Sequence, residues 1–103
     1  MFDDFDWITV DGEGEPGRLT LFALSTCAFC HSAKKWLAAK GLAHRYLDLD
    51  LMGDRGKAAL KDAFRGAFGR RPAYPTLVID GKRFLVGFVK EHWEMEIAGE
   101  AGE

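Results

Sequence analysis

At 103 residues, with 48% hydrophobic and 13% aromatic side chains, the chain is sized for one small domain with a packed core of its own. Lysine and arginine number 14 against 16 aspartates and glutamates, a formal net charge of −2, so no basic footprint for nucleic acid is present. No apolar run approaches the ~20 residues that cross a bilayer, and no membrane role is expected.

The chain opens acidic: Asp3, Asp4, Asp6, Asp11, Glu13 and Glu15 all precede the first basic residue, Arg18. The first six residues have no basic region followed by an apolar stretch, so a secretory leader is not expected and the expected compartment is cytoplasmic. Residues 5–10 alternate weakly and can pair as an extra edge strand. Residues 11–17 carry Gly12, Gly14, Pro16 and Gly17 and read as a loop. Leu19–Leu24 is nearly all apolar, the pattern of a strand buried on both faces. A helix follows from about Ala28 to Lys40, with Ala33, Trp36 and Leu37 inward and Gly41 as a left-handed stop.

In Arg45–Leu51, Leu47, Leu49 and Leu51 alternate with Asp48 and Asp50, which suggests a strand with one wet face, at a sheet edge. Asp54 is placed to cap a second helix reaching Phe68, with Leu60, Phe64, Ala67 and Phe68 inward. Residues 69–75 form a loop. Thr76–Asp80 and Arg83–Val86 read as a hairpin around Asp80-Gly81. A last helix from Val89 to Ala98 turns Val89, Trp93 and Ile97 inward. The order implies a right-handed parallel crossover first, then antiparallel strands from the hairpin. The organisation expected is an N-terminal extension or edge strand over 1–18, a domain over 19–98 and an acidic tail over 99–103.

The only two cysteines stand together as Cys27-Ala28-Phe29-Cys30, between the buried strand and the first helix. Thiol–disulfide exchange needs a thiolate, and a free cysteine, with a pKa of about 8.5, is mostly protonated at neutral pH. A helix N-terminus offers unpaired N–H groups and the positive end of the helix dipole, which favour the anion. The first thiol of a Cys-x-x-Cys motif typically falls to roughly 3.5–7.5. Cys27 is therefore the expected nucleophile. Cys30, one turn on, is the expected resolving thiol. A structural disulfide is a poor reading, since so short a loop removes little unfolded-state entropy. A zinc site lacks two ligands: His31, His44 and His92 do not form the usual spaced pair. No metal is expected.

Three motifs in order, Ser25–Cys30, Ala73–Ile79 and Val86–Phe88, make residues 19–98 resemble the thioredoxin fold in its small glutaredoxin form. The resemblance implies an α/β fold with a central four-stranded mixed sheet flanked by three helices, with residues 5–10 as the extra strand. It implies a monomeric thiol–disulfide oxidoreductase that passes electrons through Cys27 and Cys30 and holds no bound cofactor. It also implies a cis Tyr74–Pro75 bond, with the backbone before Pro75 pairing with an extended substrate such as glutathione. Thr26, Phe29, Arg71, Tyr74, Pro75, Gly87 and Phe88 are the expected substrate contacts; Phe29, a large aromatic beside an exposed thiol, reads as an apolar landing surface.

Two features depart from the glutathione-using pattern. Leu24 stands where such proteins commonly carry a lysine. Val89 and Lys90 follow the glycine motif where acidic residues hold the glutathione amino group. Each lost charge-assisted contact costs about 1.5–3 kcal/mol. Among Lys34, Lys35, Arg70 and Arg71, Arg71 is the best placed to meet a carboxylate instead. Gly87-Phe88 and His31 also resemble the glutaredoxin-like electron donors of ribonucleotide reductase, which draw on thioredoxin reductase. The reductant is thus glutathione or a donor of the thioredoxin-reductase type, and the partner a protein or small-molecule disulfide. The rival readings are an iron–sulfur protein holding a cluster between two subunits and a redox-sensing binding module.

Overall fold

In the computed structural model, which describes residues 2–101 and side chains as far as Ile97, five strands form one mixed sheet. β1 (Ile8–Val10), β2 (Leu19–Ala23), β3 (His44–Asp48), β4 (Thr76–Ile79) and β5 (Arg83–Val86) lie in the order β1-β3-β2-β4-β5. β2 pairs with β3 in parallel across α1 (Ala28–Ala39), as the crossover reading expects. The other three pairings are antiparallel. α2 (Asp54–Phe68) and α3 (Lys90–Ala101) complete the domain.

β2 is buried at every position because it is central and covered on both faces. Its period-2 alternation feeds two cores. Leu19, Leu21 and Ala23 pack with Cys30, Ala33 and Leu37 of α1 and Trp93 and Ile97 of α3. Phe22 packs on the other face with Leu60 and Phe64 of α2, and with Leu47, Leu49, Val78 and Phe2. Phe22 and Phe64 stack edge-to-face with centroids 5.1 Å apart.

Several expectations need correction. The strand read at 45–51 is not at the edge: β3 lies between β1 and β2. It stops at Asp48, and Leu49–Leu51 forms a 3-10 turn that sends Leu49 into the core and leaves Leu51 exposed. Asp54 is the first helical residue rather than the cap, which is Gly53 with no side-chain bond. Ala67 faces solvent, because the inner stripe of α2 is only as wide as Leu60, Phe64 and Phe68 need. Val89 is exposed, ahead of a helix that begins at Lys90. Asp80 belongs to the turn, where it and Gly81 have φ of +56° and +67°, as an Asp-Gly hairpin turn requires. The acidic tail read over 99–103 falls on residues whose side chains lie outside the described set.

Residues 1–18 do more than their composition suggests. Gly12 passes so close to the α1–β3 turn that a Cβ there would lie 2.6 Å from the Ala43 nitrogen. Glu13 then exchanges backbone bonds with Gly41 and Ala43. Trp7 donates from Nε1 to the Phe2 carbonyl, and the Arg45 guanidinium covers its ring at 5.1 Å.

Candidate active site

The sheet register gathers the three motifs. β2 runs toward the cysteines, and Phe22 near its end is opposite Thr76 at the start of β4. Thr76 in turn is opposite Val86 at the end of β5. The Cys27 loop, Pro75 and Gly87 therefore emerge at one end of the sheet.

Cys27 is the N-cap of α1 with extended backbone (φ −92°, ψ 117°), and the Cys30 N–H donates to its Sγ at 3.2 Å. The cap uses a sulfur where an oxygen usually serves. Cys27 is half-buried, and Cys30 is fully buried in the core beneath it. Burial pushes the Cys30 thiol up to about 12, with a hydrogen bond to Cys27 acting in the same direction. Thr26 is exposed. Phe29 is 66% exposed, which no packing role explains.

The Tyr74–Pro75 bond is cis. The Pro75 carbonyl accepts from the Gly87 N–H at 2.7 Å, and the Gly87 carbonyl accepts from Trp93 Nε1 at 2.9 Å. Gly87 has φ of +74°, a conformation that suits glycine. Phe88 stacks on Trp93 and Trp36, with centroids 4.9 and 6.0 Å away, as one of an aromatic trio. Tyr74 is half-buried, and its hydroxyl finds no partner among the described residues. Burial pushes that hydroxyl's pKa upward, and Cys30 adds to the effect. Arg71 is exposed beside a cavity of about 320 Å³ that Tyr74 also lines.

A second set of residues fixes the loop ahead of Cys27. Ser25 N–H donates to Asp50 Oδ1 at 2.8 Å, and its hydroxyl donates to Asp50 Oδ2. These bonds hold the Asp50 carboxyl below the usual carboxylate range, the hydroxyl being the larger cause. His31 Nε2 meets the Ser25 carbonyl at 2.6 Å, so it is the ring's protonated nitrogen. Asp50 was legible only as one residue of a wet strand face, and nothing in the sequence pairs it with Ser25 across 25 positions. Leu24, where the resemblance expects a lysine, packs against the second core. Among the described residues no three His, Cys, Asp or Glu side chains group to hold a metal ion. No helix among the described residues is long and apolar enough to cross a membrane.

A capped, accessible cysteine above a buried one, at the same sheet end as a cis proline, defines a dithiol site on a thioredoxin-like fold. The family model for glutaredoxin matches residues 19–84. This chain belongs to the glutaredoxin family, a class of thiol–disulfide oxidoreductases. Among solved structures, a glutaredoxin from Methanosarcina mazei Go1 is 23% identical, covering 88% of this chain and 86% of its own, with a TM-score of 0.74. Methanoredoxin from Methanosarcina acetivorans is 24% identical over 77% and 82%, at 0.68. A buckwheat glutaredoxin–glutathione complex is 24% identical over 82% and 70%, at 0.56. At these identities the likeness is one of fold. Comparison with curated proteins gives no match.

Proposed function

We propose that this chain reduces disulfides through its dithiol. The observation that carries the reading is the contrast within the pair: Cys27 is partly exposed and receives the Cys30 N–H, while Cys30 lies wholly buried. The Cys27 thiolate attacks one sulfur of the substrate disulfide. The S–S bond breaks, and the leaving thiolate takes a proton from solvent. Cys30 then gives up its proton and attacks the Cys27 sulfur. The second substrate thiol departs, and a Cys27–Cys30 disulfide remains, two electrons having passed to the substrate. Phe29 offers an apolar surface to the incoming disulfide. The backbone at Tyr74–Pro75 pairs with the substrate chain, and Gly87 and Phe88 form the facing wall. Thr26 borders the attacking sulfur, and Arg71 faces a substrate carboxylate. A thiol donor, glutathione or a reductase-linked dithiol, returns the pair to its reduced form.

The test is a reduction assay on a model disulfide, run with glutathione and with a thioredoxin-reductase-type donor. Cys27→Ser should abolish turnover with either. Cys30→Ser should accumulate a mixed disulfide that mass spectrometry detects on Cys27. Wild-type turnover in Cys27→Ser would remove the mechanism. The ratio of rates with the two donors assigns the reductant.

A further inference from the structure

We propose that the outer face of α2 is a docking strip for an acidic segment of a protein substrate; this rests on the dithiol reading above. Lys57, Lys61 and Arg65 fall at i, i+4 and i+8, one stripe along the helix. The stripe runs into the cavity that Lys61, Arg65 and Arg71 line together with Tyr74, the residue ahead of the cis proline. Asp62 is the one carboxylate in that lining.

Among the described residues the fold pairs none of this charge with a carboxylate, although Arg65 also lies in the last turn of α2, where a cation suits the helix dipole. Arg18, Lys34, Lys40, Arg45 and Arg83 each pair with a carboxylate. Lys57, Lys61, Arg65 and Arg71 have no ion pair among the described residues. The charge is also segregated along the chain. Residues 54–71 hold six basic and two acidic side chains, whereas residues 1–17 hold six acidic and none basic. A chain of net charge −2 therefore presents a cationic strip that leads to Tyr74, next to the cis proline.

The length of the strip selects the occupant. From Lys57 to Arg65 the helix rises ~12 Å at 1.5 Å per residue. A single carboxylate on a small thiol meets one of these cations. An extended segment advancing ~3.3 Å per residue needs about four residues to follow the stripe. An acidic peptide segment flanking the target disulfide is the partner of matching charge and reach.

The test uses cysteine peptides carried as mixed disulfides with 5-thio-2-nitrobenzoate and flanked by glutamates, glutamines or lysines. The wild type should reduce the glutamate peptide with a kcat/KM roughly tenfold above the glutamine peptide at low salt, the order of electrostatic steering. That ratio should fall toward one in 1 M salt, where the screening length is about 3 Å. Lys61→Gln with Arg65→Gln should bring it near one at low salt, and Lys61→Glu with Arg65→Glu should shift preference to the lysine peptide. A cysteine-free glutamate peptide should bind the Cys27→Ser, Cys30→Ser protein. If it binds while no peptide is reduced, the strip stands and the dithiol reading falls. A wild-type ratio near one, or a ratio that survives charge reversal, overturns the strip. So does self-association that charge reversal abolishes, which would put a second copy on α2.

Discussion

The Asp50 carboxylate takes both donors of Ser25, backbone N–H and hydroxyl, two residues ahead of Cys27. With His31 on the Ser25 carbonyl, every polar group of that residue is engaged. The turn that presents the sulfur is thus tied to the β3–α2 connection as well as to α1. Asp50→Ala should leave the fold intact and slow alkylation of Cys27 by roughly threefold to tenfold, since a reacting group loses its fixed position. Asp50→Asn, which keeps one acceptor, should recover part of the rate. Because the Asp50 carboxyl is held low, the clasp is complete above the ordinary value of 3.8 and is lost as pH falls through the folded value.

Limited alkylation should distinguish the two thiols. Cys27 is accessible, whereas Cys30 is fully buried and its thiol is pushed up to about 12. Iodoacetamide at neutral pH should mark Cys27 alone in the reduced native protein, and both residues once urea unfolds it. Peptide mapping reads the outcome, and native-state labelling of Cys30 would contradict the burial.

The same burial gives stability a pH dependence. Between pH 9.0 and about 12 the unfolded chain has released the Cys30 proton while the folded chain retains it. Rising pH therefore favours unfolding, and the contribution of this group is complete below pH 9.0. The gap in thermal midpoint between reduced wild type and Cys30→Ala should narrow as pH rises from 9 toward 11. A gap independent of pH would contradict the assignment.

Gly12→Ala should destabilise the domain, although the position is exposed. Its Cβ would meet backbone at Gly41, Leu42 and Ala43 within 2.7 Å, and backbone cannot step aside as a flexible side chain can. The expected cost is about 1–3 kcal/mol, read from the urea midpoint. Gly14→Ala is the control for composition, because no atom lies near its Cβ, although its φ of +93° adds strain of its own.

Phe2→Ala should cost about 3 kcal/mol, the order for a buried phenylalanine. The ring is 1% exposed and stacks on Phe22 at 5.4 Å. Denaturant unfolding measures it, and a loss below half that figure would mean that the N-terminal segment frays before the domain unfolds.

The cysteine spacing, the nearly all-apolar β2, the Asp80-Gly81 turn and the three helices were legible because each depends on neighbours within a few residues. Strand alternation and helix periodicity are local signals, and so is a reactive pair one turn apart. The same local logic misplaced β3. Its alternation of leucine and aspartate resembles an exposed edge, but β1 returns to cover that edge. Asp48 does not face open water: it pairs with Lys34 of α1 at 2.8 Å. Asp50 and Phe2 were invisible as functional or core residues, because their partners lie 25 and 20 positions away.

By itself the sequence determined which atoms could do chemistry, since two cysteines at helical spacing beyond a strand have few other uses. Only the tertiary structure decided how they differ. Packing of α1 against β2 and α3 removed one sulfur from water, and the cap left the other at the surface. Desolvation depends on what the rest of the chain brings within a few ångströms, which no spacing along it records.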